Sequence, residues 1–318
     1  MLTPRSDNRP AWYILGAGAI GCLYAANCAA DTPVRLILSK QRKAELEQTG
    51  TSIEIQHVDG SKSHIAAAQL STPDTNTAIE RLILSTKAHQ SLSALSDIAH
   101  RLAPQVTIIL LQNGMGVAEE IHKRHPNARL VLASTTHGAW RRDRNTVVHA
   151  GCGETLFDAR CAEQLKTTIM SELSHPNFVW QAVDDMPSRL WQKLAINCAI
   201  NPLTAILRCR NGELVNHDVS EQQASACSEV HAVAKASGIP LPDSNVLLGR
   251  VSQVMDSTAK NRSSMLQDVL AGRDTEIDFL NGYVARLGSK LGIECPTNQS
   301  LWRQIKALQP ENNHRDDQ

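Results

Sequence analysis

The sequence predicts an α/β domain built on a parallel sheet, followed by an all-α domain, and three observations carry that prediction. Up to about Asp184, short apolar runs alternate with turns marked by glycine, asparagine or proline. The first of these runs breaks into a glycine-rich turn that opens a helical run, Gly16-Ala17-Gly18-Ala19-Ile20-Gly21. Beyond Asp184 the strand patterns stop and apolar residues recur at helical spacing. A chain of 318 residues is also long for one hydrophobic core, so two cores are expected.

Composition narrows the functional classes. Lys and Arg number 32, as do Asp and Glu, which leaves no global field to gather nucleic acid or an anionic membrane. Of the eight cysteines, Cys22, Cys28, Cys198 and Cys227 lie in apparent helical runs, and no CxxC pair or Cys/His ligand spacing is present. They read as small buried thiols in a reducing compartment, with no metal site. The polar start MLTPRSDNRP is not a signal core, and no apolar run reaches the ~18 residues of a membrane span, so the expected location is the cytoplasm. Residues 1–10 and 311–318 are expected to be a disordered leader and tail flanking domains at 11–184 and 185–310.

In chain order, Trp12 to Leu15 reads as a buried strand, the glycine turn follows, and a helix runs from Ala19 to about Ala30. Strand, glycine turn and helix together form the dinucleotide-binding fingerprint of a Rossmann-type domain. Gly16 would permit the tight turn, Gly18 close approach of a pyrophosphate, and Gly21 close helix packing. The competing reading is a tight turn with no nucleotide. The next strand, Val34 to Leu38, ends in Ser39-Lys40-Gln41-Arg42-Lys43. An NAD site usually places an acid there for the ribose hydroxyls, whereas a 2′-phosphate wants hydroxyls and cations. No acid stands at this strand end, which points to NADPH with Ser39, Lys40 or Arg42 near the phosphate. The competing reading is the start of a solvated helix, Arg42 to Thr49.

Ser52 to Ile55 and Ser63 to Ala68 form a predicted hairpin around Asp59-Gly60. Core strands follow at Arg81 to Ser85, ended by Thr86-Lys87, and at Val106 to Leu111, ended by Gln112-Asn113-Gly114-Met115-Gly116. Open parallel sheets hold ligands at the carboxyl ends of their strands, which makes Lys87 and Asn113 candidates near a cofactor; a solvated lysine and an ordinary Asn-Gly turn are the alternatives. Another strand, Arg129 to Ser134, leads to Thr135-Thr136-His137-Gly138-Ala139-Trp140-Arg141-Arg142, with strand-like pieces at 146–150, 154–157 and 177–181. His137 reads as a structural hydrogen-bonding residue and not as a catalyst.

The second domain starts after a proline-marked joint at 184–187, with helices predicted over 187–208, 220–236, 245–260, 264–272, 276–291 and 298–308. Its first helix carries Lys193, Asn197 and Asn201 at i, i+4 and i+8, positions that drift by only about 40° per step and share one face. Most of the remaining circumference is apolar, so the lysine needs a ligand, a partner charge or a wet cleft, unless the stripe is a solvated edge. Pro202 should kink or end the helix and free a backbone carbonyl near Cys198. Ser264 and Gln267 have capping-box spacing, and a helix start there could also take a carboxylate, with Asn261 beside it. Glu276 begins another predicted helix; nearness to Lys193 would make it special.

Together these residues resemble the ketopantoate reductases (2-dehydropantoate 2-reductases). The likeness is carried by GAGAIG at 16–21, QNGMG at 112–116, STTHGAWRRD at 134–143, LWQKLAINCAINPLTA at 190–205, NGEL at 211–214, NRSSMLQD at 261–268 and TEID at 275–278. The resemblance implies a Rossmann-type NADPH domain, a helical domain closing over it, and a 2-keto acid in the cleft. It implies Lys193 as proton donor assisted by Glu276, and Asn113, Asn197, Asn201, Asn211, Asn261 and Ser264 as substrate contacts. The implied cofactor contacts are Gly16, Ala17, Gly18, Ala19, Ile20, Gly21, Ser39, Lys40, Arg42, Lys87, Asn113, Gly138 and Glu276. One departure is that Ser39 stands where the family often has an arginine for the 2′-phosphate. The expected reaction is NADPH-dependent reduction of ketopantoate to pantoate, by a monomer or a homodimer. The alternatives are a reductase of another 2-keto acid and a sensor that binds NADPH without chemistry.

Overall fold

The computed structural model describes residues 9–29, 31–176 and 178–309. The predicted leader up to residue 8, the helix end at Ala30, Asn177 and the predicted tail lie outside the described residues. The chain forms an α/β region with a parallel sheet, then an all-helical region. The described residues pack as two units, one made of those up to 112 with 117–186, the other of 113–116 with those from 187 onward.

In the first unit the strands are β1 (Trp12–Leu15), β2 (Val34–Ile37), β3 (Ile53–Gln56), β4 (Lys62–Ile65), β5 (Leu70–Ser71), β6 (Ile79–Leu84), β7 (Leu102–Leu110), β8 (Arg129–Thr135), β9 (Gly138–Arg141), β10 (Thr146–Gly151), β11 (Thr155–Asp158) and β12 (Trp180–Val183). The helices are α1 (Ala19–Ala25), α2 (Lys40–Thr49), α3 (Ser91–Asp97), α4 (Val117–Arg124) and α5 (Glu163–Glu172). The eight-stranded sheet has the order β12-β11-β8-β7-β6-β1-β2-β5. From β5 to β8 all pairs are parallel, which explains the buried runs of β1 and of the carboxyl-terminal parts of β6 and β7: covered parallel strands are buried on both faces. Strand order reverses at β1, with β2 on one side and β6 on the other, and that is where such sheets open a ligand crevice. A second sheet, β4-β3-β10-β9, contains the predicted hairpin, whose turn glycine, Gly60, has φ +83°.

Two details correct the expectations. Helix α1 stops at Ala25 instead of running to about Ala30; Asn27 then donates its side-chain amide to Leu23 O at 2.7 Å, and Thr32 N bonds Ala29 O. The stretch after His137 is strand β9, paired antiparallel with β10.

The helical unit contains α6 (Met186–Leu207), α7 (Ser220–Ala236), α8 (Ser244–Ser257), α9 (Ser264–Leu270), α10 (Asn281–Leu291) and α11 (Pro296–Leu308) around its own core, which includes Leu194, Cys198, Val230, Leu247, Val284 and Leu301. The four residues 113–116 that follow β7 in sequence pack with this unit: Met115 lies against its core, and Met115 N donates to Phe279 O at 2.8 Å. Gly114 has φ +83°, and a side chain there would meet Phe279 backbone and Cβ, so glycine is required on both counts. The helix expected over 276–291 is broken. A 3₁₀ turn, Ile277–Phe279, precedes α10, and Leu280 at φ −107°, ψ −105° interrupts the helical path. Among the described residues no helix is long and apolar enough to cross a membrane, and all eight cysteines are free thiols.

Candidate active site

In the first unit the glycine turn has the geometry that the fingerprint requires. Gly16 has φ +114°, and a side chain there would collide with Thr86 N at the end of β6. Gly21 packs its Cα against Gly16 O and Ser85 Oγ, which leaves no room for a Cβ. At Gly18 the space is open: a Cβ would meet nothing within 4 Å, so the backbone presents a bare edge to a ligand. The residues of this turn fit the diphosphate of a nucleotide.

A cavity of about 490 Å³ lies at the carboxyl ends of β1 and β2. Leu15, Ile37, Leu38, Pro73 and Ala94 give it apolar walls, and Gly16, Ala17, Ser39, Arg42, Thr86, Asp97, Arg141 and Arg144 complete the lining. Ser39 caps α2 by accepting from Arg42 N at 3.2 Å. Of the three candidates for the 2′-phosphate, Ser39 and Arg42 therefore line the cavity. Lys40 is outside the lining and pairs with the Asp74 carboxylate at 3.0 Å. Lys87 is half-buried at the carboxyl end of β6, and Gly138 opens β9. Arg141 and Arg144 also line the cavity and were not among the residues expected from the sequence. The available signal was the basic turn Arg141-Arg142-Asp143-Arg144, joining two strands of the second sheet.

In the helical unit α6 sets Lys193, Asn197 and Asn201 on one half-buried face, while Leu194, Ala195, Cys198 and Ala199 are in the core. Burial disfavours the ammonium and pushes the Lys193 pKa down to about 8, and the negative charge of Glu276 works in the opposite direction. Glu276 itself is buried, and its Oε2 accepts from Asn113 Nδ2 at 3.5 Å. Lys193, Glu276 and Asn113, from three separate stretches of chain, thus form one cluster.

The remaining candidates are held by a second set of contacts. Asn211 N donates to Asn261 O at 3.0 Å, and Asn211 Nδ2 to Thr258 Oγ1 at 2.8 Å. Gly212 packs its backbone on Ala259, with Gly212 N bonded to Ala259 O at 3.1 Å. Among the described residues the buried Asn211 Oδ1 has no hydrogen-bond partner. The capping expectation needs correction. Ser263, not Ser264, caps α9, accepting from Leu266 N at 3.0 Å, and its hydroxyl lies 2.7 Å from Thr204 Oγ1 of α6. That tertiary bond selects between two adjacent serines; Ser264 becomes the first helical residue, exposed, and Gln267 bonds Arg262 O instead of completing a capping box.

His137 is buried, stacks on Phe178 with ring centroids 4.1 Å apart, and accepts at Nδ1 from Gly153 N at 3.2 Å. Among the described residues no group of three or more His, Cys, Asp or Glu could hold a metal ion.

Comparison with known proteins identifies the family of the chain. The family signature Ketopantoate reductase PanE/ApbA matches residues 12–160, and Ketopantoate reductase PanE/ApbA C terminal matches 185–309. The 2-dehydropantoate 2-reductase of Vibrio cholerae is 34% identical over 307 residues, which span 93% of this chain and 97% of that protein. The crystal structure of a PanE/ApbA family ketopantoate reductase from Ralstonia eutropha JMP134 superposes with a TM-score of 0.82 at 25% identity, covering 94% of this chain and 98% of that one. The ternary structure of a D-mandelate dehydrogenase with NADH and anilino(oxo)acetate shares the fold, with a TM-score of 0.83 at 23% identity over 94% and 98% of the two chains. Signatures over both regions and a relative matched along nearly its whole length make this chain an oxidoreductase of the ketopantoate reductase family.

Proposed function

We propose that the protein reduces 2-dehydropantoate to pantoate with NADPH, with Lys193 as proton donor, in the cytoplasmic route to pantothenate and coenzyme A. The observation that carries this reading is the cluster of Lys193, Glu276 and Asn113 in a chain of this family.

When bound, a reduced nicotinamide would supply the hydride for the keto carbon, and the protein's own groups would meet the charge that builds on the oxygen. Lys193 is assigned that task. With its pKa lowered toward 8, its ammonium is mostly protonated at neutral pH yet gives up a proton more readily than a free lysine. Glu276 keeps the ammonium charged and orients it, and Asn113 steadies the Glu276 carboxylate. Asn197 and Asn201, one and two turns along α6, are assigned to the substrate's polar groups, and Asn211, Asn261 and Ser264 to its carboxylate and hydroxyl. The unpartnered Asn211 Oδ1 fits a hydroxyl donor. The glycine turn at 16–21, together with Ser39 and Arg42, is assigned to the cofactor, with Lys40, Lys87, Asn113, Gly138 and Glu276 as further contacts.

The test is oxidation of NADPH by purified protein with 2-dehydropantoate. Lys193→Ala should lose about 10²- to 10⁴-fold in turnover while binding cofactor as before. Near-normal turnover of that variant would remove Lys193 from the role. A second reading, reduction of another 2-keto acid, is favoured by the shared fold with a D-mandelate dehydrogenase solved with NADH. A panel of keto acids with both cofactors separates the two readings. Binding of NADPH with no turnover on any keto acid would favour a sensor instead.

A further inference from the structure

We infer that this chain recognises the 2′-phosphate of its cofactor through an arginine pair assembled from two sheets, Arg42 of α2 and Arg144 of the β9–β10 turn, with Arg141 of β9 set toward the diphosphate. The inference rests on the nicotinamide-cofactor reading and deepens it: it names the residues that decide between NADPH and NADH.

Ser39 occupies the strand end where a cation would ordinarily stand, and a serine hydroxyl already engaged in capping α2 cannot by itself neutralise a dianion. The missing charge comes from far along the chain. Arg42 and Arg144 converge on one carboxylate, Glu45: Arg42 Nη1 is 3.3 Å and Arg144 Nη2 2.8 Å from Glu45 Oε2. Arg42 also donates to Arg144 O at 2.8 Å and to Asn145 Oδ1. The β9–β10 turn is thereby tied to the start of α2, and the turn is itself shaped by Asp143, which accepts from Asn145 N at 2.8 Å.

The two guanidiniums differ in a way that suits the task. The Arg42 side chain is 16% exposed and held by its neighbours, whereas that of Arg144 is 66% exposed and keeps donors open to the cavity. Arginine presents its N–H groups in a fixed fork that matches phosphate oxygens. Arg141 donates to Ala17 O in the glycine turn and to Arg144 O at 2.9 Å, which sets its charge beside the diphosphate cradle. The apolar walls, Leu15, Ile37, Leu38 and Pro73, suit a flat adenine. Besides Asp143 of the turn, the carboxylates nearby are Glu45 and, in the lining, Asp97. Glu45 is shared by both arginines, and Asp97 is the group that could accept from an unphosphorylated ribose, the opposing outcome.

The experiment measures binding of 2′-phospho-ADP-ribose and of ADP-ribose to the full-length protein by calorimetry, without turnover. Wild type should prefer the phosphorylated ligand by about 100-fold or more, a range spanned by two charge-assisted hydrogen bonds. Arg144→Ala should cut that preference by about 10-fold or more while holding ADP-ribose affinity within about threefold, and Arg144→Lys should recover part of it. Arg42→Ala should act in the same direction. Equal losses on both ligands in Arg144→Ala would overturn the assignment, because a purely structural arginine weakens both. A wild-type preference for ADP-ribose would also overturn it, in favour of Asp97, while leaving the nicotinamide reading standing. If neither ligand binds wild type, both the assignment and that reading fall.

Discussion

Lys193 lies on a helix whose other faces are packed, and that position decides its chemistry. Burial lowers its pKa to about 8, and Glu276 limits the fall. Under the proposed proton-donor role the sign for activity follows: the Lys193 proton is present below about pH 8 and is lost as pH rises through it. In the reduction direction kcat/KM should therefore drop above about pH 8 in a pH–rate profile. In Glu276→Gln the supporting negative charge is gone, so the Lys193 pKa falls further and the alkaline limb should move to lower pH. A limb that stays in place would show that Glu276 does not act on Lys193.

The central element is α6, which continues through Pro202 to Leu207. Proline offers no N–H to the carbonyl one turn back, and that carbonyl, Cys198 O, accepts from Asn281 Nδ2 at 3.1 Å instead. Asn281 is fully buried and also donates to Asn298 Oδ1 at 2.9 Å; Asn298 in turn bonds Ala226 O and Glu229 Oε2, so one polar network joins α6, α7, α10 and α11. Asn281→Ala should cost roughly 1–3 kcal/mol in chemical denaturation, because the Cys198 and Asn298 groups stay buried without it. In a Pro202→Ala background, where the backbone N–H returns, the same substitution should cost less. Equal costs in both backgrounds would mean that Asn281 does not substitute for the missing donor.

At this scale much was legible. The apolar runs of β1, β6 and β7, the Lys193 stripe and the freed carbonyl before Pro202 follow from local spacing. What stayed hidden depends on distant partners. Strand β9 is short and half-exposed, and only its register with β10 identifies it. Ser263 and Ser264 are equivalent in sequence until Thr204 selects the first. Arg144 comes to Ser39 and Arg42 only through sheet topology, across about a hundred residues that no sequence window spans.

At the scale of the whole molecule the expectation of two cores holds, one in the sheet unit around Trp12, Leu36 and Phe157 and one among the helices. The sheet unit also contains buried histidines with consequences for stability. His137 has its pKa pushed down to about 4, first by burial and then by the neighbouring His149. A depressed folded-state pKa on a base means that its full contribution is present above the unfolded value near 6.5 and is lost as pH falls toward 4. Urea midpoints for the unfolding of this unit should therefore decline between about pH 6.5 and 4, with His137 contributing on the order of 2 kcal/mol. In His137→Gln that decline should be shallower; an unchanged slope would assign the acid sensitivity to other groups.

The reductase assignment rests most directly on steady-state oxidation of NADPH by wild type and Lys193→Ala with 2-dehydropantoate as substrate. Turnover in wild type, reduced at least about 100-fold in the variant with cofactor affinity retained, is the predicted result. Wild type inert toward 2-dehydropantoate, or a variant within a few-fold of wild type, would contradict it.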